Sequence, residues 1–219
     1  MHILLSLIRA TVSAHSSSLI SFFIASTIMA TVGRFSGTGS FGTVVIAAIA
    51  AFLPVTLFAQ DERMGLDILW GTLPVTRRQV VISRYLLIAA ILILMIMAGL
   101  AFTYLFPAGQ AEASKELLSI SPLALAGTLF SFTAILISLQ MPLFFALGYA
   151  RTGMYATGAL FLFFCLIGLV GAQFPGFRIS LYEFLASDSA FPVGILIGIA
   201  LFSVSAAISI ALYSRRDFT

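Results

Sequence analysis

Charge is what this sequence has least of. Of its 219 residues, only 9% are Asp, Glu, Lys or Arg, whereas 61% are apolar. A water-soluble domain typically has about 25% charged residues, because its surface has to be hydrated. Most of the surface of this chain must therefore face lipid. At roughly 20 residues for each membrane-spanning helix, the chain has room for about six or seven spans and none for a separate soluble catalytic domain.

The groups needed for hydrolytic or ion-coupled membrane chemistry are missing as well. Both histidines, His2 and His15, lie near the start of the chain, and no apolar run has an Asp or Glu in its middle. Metal ligation, general-base catalysis and ion coupling need such groups within the spans. We therefore predict no catalytic site, no metal site and no ion-driven carrier. The single cysteine, Cys165, excludes an internal disulfide.

A nucleotide-binding loop is also missing. A P-loop ends in Lys-Ser or Lys-Thr, and the nearest candidate, GTGSFGTV at 37–44, has no lysine. The same letters satisfy G-x-G-x-x-G, but no strand is predicted before them and an apolar run follows. We interpret 37–44 as a turn outside the membrane, and expect no cofactor in this chain. The net charge of +3 indicates topology rather than a nucleic-acid partner.

Six apolar runs predict an all-α integral membrane protein, organised as one domain over 1–219. The predicted transmembrane helices cover about 17–32, 43–59, 84–106, 122–147, 155–172 and 193–213. These runs are apolar on every face, which favours helices over the alternating strands of a barrel.

The distribution of Lys and Arg predicts that both termini are cytoplasmic. With the N-terminus inside, the inner segments carry Arg9, Arg63, Arg77, Arg78, Arg84, Arg151, Arg215 and Arg216, and the outer segments carry Arg34, Lys115 and Arg178. This asymmetry agrees with the positive-inside rule.

Residues 1–14, MHILLSLIRATVSA, have a different pattern from the spans. His2, Ser6, Arg9 and Ser13 share one helical face, while apolar residues occupy most of the remainder. This pattern predicts an amphipathic helix lying in the membrane interface. A signal peptide is the alternative, but Arg9 would interrupt its apolar region.

Most of the charge in the first half of the chain is gathered between the second and third runs. The stretch AQDERMGLDILWGTLPVTRRQVVISR, 59–84, contains Asp61, Glu62, Arg63, Asp67, Arg77, Arg78 and Arg84. Gly71 and Pro74 predict a turn, and Thr76 with Gln79 forms a capping box that starts the third helix near residue 77. One interpretation is an ordinary cytoplasmic loop. The other is a docking surface for a soluble partner, because charges of both signs are interspersed with apolar residues.

The same stretch resembles the ABC-2 type permeases of the family that includes the phenol-soluble-modulin exporters. An acidic pair after the second span, followed by an LPxxR-like run, is typical of that family, and Asp61, Glu62, Leu73, Pro74, Arg77, Val80, Val81, Ser83 and Tyr85 match it. LQMPLFFALGY at 139–149 and YSRRDF at 213–218 are weaker similarities. Ala146 departs from the pattern, since a basic residue often stands there, so we assign that position no charge-dependent role.

The resemblance implies that this chain is a permease whose ATPase is a separate subunit. A coupling helix would contact the ATPase, through Glu62, Arg63, Met64, Leu66, Asp67, Ile68, Leu69 and Trp70. For Trp70 the alternative role is that of an aromatic anchor at the membrane interface. ATP and Mg²⁺ would be bound by the ATPase. A second permease copy, identical or different, would complete the pathway in a bacterial plasma membrane.

Three further groups of residues are candidates for a role in transport. Gln140 and Pro142 are candidates for the pathway: Gln140 is a polar group within a span, where the other polar groups are scattered Ser and Thr, and Pro142, like Pro54, is a possible kink. A capping box at Ser180 predicts a short outer helix with Tyr182, Glu183 and Phe184, either covering the pathway or connecting two spans. Gly194 and Gly198 allow close helix approach, within the subunit or between copies.

These observations predict the permease subunit of an ATP-driven exporter. The absence of charge within the spans suits an amphipathic or hydrophobic cargo, and the resemblance favours antimicrobial or toxin peptides, with lipid or a small drug as alternatives. The rival function is a membrane immunity or scaffold protein that binds a partner without transport.

Overall fold

The computed structural model describes residues 11–13, 20–21, 24–25, 27–28, 49–65, 76–105, 122–174, 176, 187 and 189–214. Its helices are α1 (Leu53–Arg63), α2 (Arg77–Leu105), α3 (Pro122–Leu147), α4 (Tyr149–Gln173) and α5 (Ala190–Ser214). Shorter helical pieces occur at 11–13, 20–21, 24–25, 27–28 and 49–50, and the described ranges contain no strand. The all-α prediction is confirmed for this part of the chain.

Three of these helices are long and apolar enough to cross a membrane. Within the described ranges, the qualifying segments are Arg77–Ala101, Ala126–Leu147 and Ala190–Ser214. A helix of 25 residues, such as α5, is about 37 Å long at 1.5 Å per residue. This exceeds the roughly 30 Å hydrocarbon thickness of a bilayer. The helices are therefore those of a membrane protein.

Helices α1, α2, α4 and α5 all extend beyond the apolar runs that predicted them, as α1 and α4 illustrate. The second run was expected to end at residue 59, but α1 continues to Arg63. The fifth run was expected to begin at 155, but α4 begins at Tyr149. An apolar run marks the part of a helix that faces hydrocarbon, whereas the backbone hydrogen bonding continues until a cap or a turn ends it. For α1, that turn is Gly65, whose φ of +63° suits a residue without a Cβ.

The start of α2 follows its local sequence signal. The backbone N–H of Thr76 donates to Gln79 Oε1 at 3.0 Å, and the N–H of Gln79 donates to Thr76 Oγ1 at 3.3 Å. These are the two reciprocal bonds of a capping box. The predicted capping box is confirmed, and it fixes where α2 leaves the preceding connection.

A single residue, Gly148, joins α3 to α4. Its φ is +78°, a left-handed conformation that costs a residue with a Cβ more than it costs glycine. Its N–H donates to the carbonyl of Phe144 at 2.9 Å, which closes the last turn of α3. The chain therefore reverses within the sequence LGY.

Helices α3 and α5 pack against each other with their backbones in close approach. A Cβ placed on Gly194 would lie 2.6 Å from the carbonyl carbon of Gly127, and one placed on Gly127 would lie 2.7 Å from the Cα of Phe191. Gly198 faces the ring of Phe130. The predicted close approach at Gly194 and Gly198 is therefore confirmed, and it is made within the subunit.

Aromatic rings connect all five helices near the ends where α3 and α5 finish. Phe58 of α1 stacks on Phe144 of α3 with ring centroids 5.0 Å apart, and it meets Phe145 edge-on at 5.1 Å. Phe145 also meets Tyr213 of α5 at 5.3 Å and stacks with Tyr85 of α2 at 6.4 Å. Phe144 extends the set to Tyr149 of α4 at 6.2 Å. This cluster lies beside the charged residues described next.

Candidate functional site

Four charged residues of the stretch 59–84 lie at one end of the helix bundle. We call this end, defined by Asp61, Glu62, Arg77 and Arg84, the charged end. Helices α1, α3 and α5 finish there, and α2 and α4 begin there. Contacts made by these four residues therefore join α1, α2, α4 and α5 at this end.

Asp61 and Arg84 form a buried ion pair between α1 and α2. Arg84 Nη2 lies 2.7 Å from Asp61 Oδ2, and the two side chains are only 3% and 6% exposed. Removing one partner of such a pair typically costs about 3–5 kcal/mol, because the other charge stays buried without its counterion. The pair therefore holds α1 and α2 together at the charged end.

Glu62 connects the last turn of α1 to the first turn of α4. Its Oε2 accepts a hydrogen bond from the backbone N–H of Ala150 at 2.7 Å. The first N–H groups of a helix have no partner within that helix, and a carboxylate near them is stabilised by the helix dipole. Contacts of this kind contribute about 0.5–2 kcal/mol. Glu62 is exposed, so this contact lies at the protein surface.

Arg77 makes the corresponding contact with the opposite sign of charge. From the first residue of α2, its Nη1 donates to the carbonyl of Ser214 at 2.8 Å and to that of Tyr213 at 3.3 Å. The last carbonyls of a helix lack partners within it, and a cation there is favourable. Arg77 therefore caps the end of α5.

The predicted coupling residues fall into two groups. Glu62 and Arg63 belong to the last turn of α1, and Met64 is the residue that ends it; Arg63 and Met64 are exposed. Leu66, Asp67, Ile68, Leu69, Trp70, Leu73 and Pro74 lie outside the described residues. The role of this stretch in docking therefore stays a prediction. The interfacial helix at 1–14 also stays a prediction, since only residues 11–13 of it are described. The outer helix with Tyr182, Glu183 and Phe184 lies outside the described residues.

A chain of hydroxyl groups crosses the interior from α3 to α2. Pro142 has no N–H, so it leaves the carbonyl of Ser138, four residues earlier, without its usual helical partner. Ser205 Oγ of α5 donates to that carbonyl at 2.7 Å. Ser205 in turn lies 2.6 Å from the Tyr85 hydroxyl, which lies 2.8 Å from Ser209 Oγ.

The order of donors in this chain follows from the hydrogen count. Because Ser205 uses its proton on the Ser138 carbonyl, Tyr85 donates to Ser205 and Ser209 donates to Tyr85. Pro142 thus frees a carbonyl of α3 that binds Ser205 of α5, and Ser205 in turn binds Tyr85 of α2. Pro142 therefore contributes to helix packing, and its role in a pathway stays a prediction.

Gln140 is also placed between helices. It is buried, and its Nε2 donates to the carbonyl of Ala51 at 3.3 Å and to that of Leu136 at 3.1 Å. The first of these bonds connects α3 to the segment just before α1. Neither Gln140 nor Pro142 lines the cavity described next.

An apolar cavity of about 640 Å³ lies between α2 and α5, with the first half of α3 behind it. Its lining is Ile82, Tyr85, Leu86, Ala89, Ile93, Ile96, Met97, Leu100, Leu123, Ala126, Gly127, Phe130, Phe191, Ile195, Ile199, Phe202, Ser203 and Ala206. Only Tyr85 and Ser203 bring a polar side chain, and the Ser203 hydroxyl donates to the carbonyl of Ile199. The volume is within the range of small-molecule sites, and the lining suits an uncharged, hydrocarbon-rich ligand.

Sequence reasoning found the charged residues of this end but missed their partners. Asp61 and Arg84 both stand in the charged stretch, yet nothing local pairs them. The partner of Glu62 is a backbone group of α4. The detectable signal was Gly148, since a glycine between two apolar runs predicts a helix start close behind it. Within the described ranges, no three His, Cys, Asp or Glu side chains gather as metal ligands.

The architecture defines a class: a helical membrane protein that crosses the bilayer more than once and whose cavity has no charged lining. Among protein families, the model of the ABC-2 family transporter protein matches residues 7–214. The chain therefore belongs to the ABC-2 family of transporter permeases. Such a permease is a transport component that is not itself catalytic, and the family in general works with an ABC ATPase. No curated protein matches the chain.

Proposed function

We propose that this chain is the permease subunit of an ATP-driven exporter in a bacterial plasma membrane. It crosses the bilayer six times with both termini in the cytoplasm, and the charged end faces inward. The family match over 7–214 supports the transport role. The alternating directions of the helices and the excess of arginine at the charged end support the orientation.

The ATPase is a separate subunit that binds ATP and Mg²⁺, and it docks on residues 62–70. Two permease copies form the complete transporter. Support for the docking site comes from its position: the stretch begins in the last turn of α1, and α1 is held to α2 by the buried pair of Asp61 and Arg84. A force applied there reaches two spans at once.

The cargo is amphipathic or hydrophobic, with antimicrobial or toxin peptides of the modulin type as the first class to test. The observation that carries this part is the cavity between α2 and α5, whose lining is almost entirely hydrocarbon. A charged or strongly polar solute would lose its hydration there without gaining partners. An apolar surface would be favoured.

The docking assignment is tested by placing charge on the apolar positions of the stretch. We expect Leu66→Asp with Leu69→Asp to abolish co-purification of the ATPase, because a carboxylate in an apolar contact is costly to desolvate. Thr72→Asp and Val75→Asp are matched controls, since they add the same charge to the same connection outside 62–70. Pull-down from detergent and peptide export from proteoliposomes are the measurements. If the double variant assembles and exports at wild-type levels, the docking site is wrong. If the wild-type proteins assemble but export no peptide, the chain is a scaffold instead of an exporter.

A further inference from the structure

The geometry points to Glu62 and Arg77 as a pair of positioning residues that link the two ends of the 64–76 connection to α4 and α5, so that movement of this connection is delivered to four helices. This inference rests on the proposed function, because it concerns how a force from the ATPase spreads through the permease. The two contacts are Glu62 Oε2 with the Ala150 N–H, and Arg77 Nη1 with the Ser214 carbonyl.

By covalent structure alone, the connection moves only the helices that it joins. Helix α1 ends at Arg63 and α2 begins at Arg77. Glu62 is the second-last residue of α1, and Arg77 is the first residue of α2, so the two residues flank the connection. Their partners stand far away in the sequence, at the first turn of α4 and the last turn of α5. Both ends of the connection therefore have a second, non-covalent attachment.

The two attachments have matching chemistry. A carboxylate meets the positive end of one helix, and a guanidinium meets the negative end of another. Charge-assisted hydrogen bonds are directional and shorter than neutral ones, as the distances of 2.7 and 2.8 Å indicate. A displacement of either side chain therefore acts along the axis of the helix that it caps.

The burial of the contacts separates permanent from releasable links. The Asp61–Arg84 pair is almost completely buried, so α1 and α2 stay joined and move as a unit. Glu62 and Arg77 are exposed, where water can replace either partner. Rearrangement of the connection by a docked protein can therefore break or restore the links to α4 and α5 without unfolding the bundle.

Side-chain removal separates this role from that of an ordinary helix cap. We expect Arg77→Ala to retain the ATPase on co-purification and to hydrolyse ATP at the basal rate. Peptide export per ATP hydrolysed should fall at least about tenfold in Arg77→Ala and in Glu62→Ala, because α4 and α5 no longer follow the connection. Glu62→Gln and Arg77→Lys, which keep an acceptor and a donor, should lie between these variants and wild type. Arg78→Ala removes an exposed charge next to Arg77, outside the docking stretch, and should match wild type.

The ratio of export to hydrolysis decides the outcome, measured in proteoliposomes with a synthetic amphipathic helical peptide. An unchanged ratio in the alanine variants would overturn the inference, and so would a ratio that falls only in parallel with melting temperature. If the alanine variants do not fold, Glu62→Gln and Arg77→Lys decide it: ratios equal to wild type would overturn it. Failure of the proposed function is distinguishable, because the wild-type chain would then export no peptide.

Discussion

Asp61 and Arg84 make the contact at the charged end whose loss should cost most. We expect Asp61→Asn to lower the stability of the permease by about 3–5 kcal/mol, because the guanidinium of Arg84 stays buried without its carboxylate. The combined variant Asp61→Leu with Arg84→Met should recover most of that loss, since apolar replacement of a buried pair is often neutral. Melting temperature in detergent is the measurement.

Glu62→Gln is the matched control for this prediction. It removes a carboxylate from the adjacent position of the same helix turn, but that carboxylate is exposed. Its effect should be well below that of Asp61→Asn. Equal melting temperatures for Asp61→Asn and wild type would show that the buried pair contributes nothing to stability.

Residues that contact close sequence neighbours were the ones that could be predicted. Thr76 and Gln79 are three positions apart, so their reciprocal bonds follow from the local sequence alone. Pro142 was recognised as unusual, but its consequence depends on Ser205, which reaches the freed carbonyl only when α3 and α5 pack. Long-range partners depend on tertiary packing, and a single sequence contains no direct record of it.

At the scale of helices, the packing of α3 on α5 depends on the absence of side chains. Gly194→Ala would bring a methyl group to 2.6 Å from the Gly127 carbonyl carbon. Backbone cannot move aside as a side chain can, so we expect a loss of about 1–3 kcal/mol, measured as a lower melting temperature. Gly198→Ala should cost less, because the ring of Phe130 can rotate away.

Gly158 on α4 provides the comparison for these substitutions. A Cβ there would meet no atom within 4 Å, so Gly158→Ala should leave stability unchanged or raise it slightly through helix propensity. Should Gly158→Ala and Gly194→Ala have the same effect, the close approach of α3 and α5 would not be what stabilises this pair.

Helix existence was predictable because twenty apolar residues in succession leave few alternatives in lipid. The bounds were less so. For α3, the run and the helix coincide at Pro122–Leu147, because a proline starts it and Gly148 ends it. For α4, the polar residues Arg151 and Thr152 interrupt the apolar run without interrupting the helix.

At the scale of the whole molecule, the cavity between α2 and α5 makes the cargo assignment testable. We expect Ala89→Trp, which fills part of the cavity, to reduce the stimulation of ATP hydrolysis by a synthetic amphipathic peptide about tenfold. The physical reason is exclusion of the ligand volume by the indole. The assay is ATP hydrolysis by the assembled transporter in lipid nanodiscs, with and without peptide.

Ala90→Trp is the control, since Ala90 is the next residue on the same helix and is exposed outside the cavity. It should leave the stimulation at the wild-type level. If peptide stimulates Ala89→Trp as it does the wild type, the cavity is not part of the cargo path. Lipid would then be its occupant.

The one-residue reversal at Gly148 has a consequence for how such a bundle changes shape. With no slack between Leu147 and Tyr149, α3 cannot tilt unless α4 tilts with it or the two torsion angles of that glycine rotate. Since the first turn of α4 is bonded to Glu62 and the last turn of α3 packs against Phe58, α1 touches both arms of this hairpin at its corner. A small axial shift of α1 would therefore be converted there into a rotation of the whole hairpin.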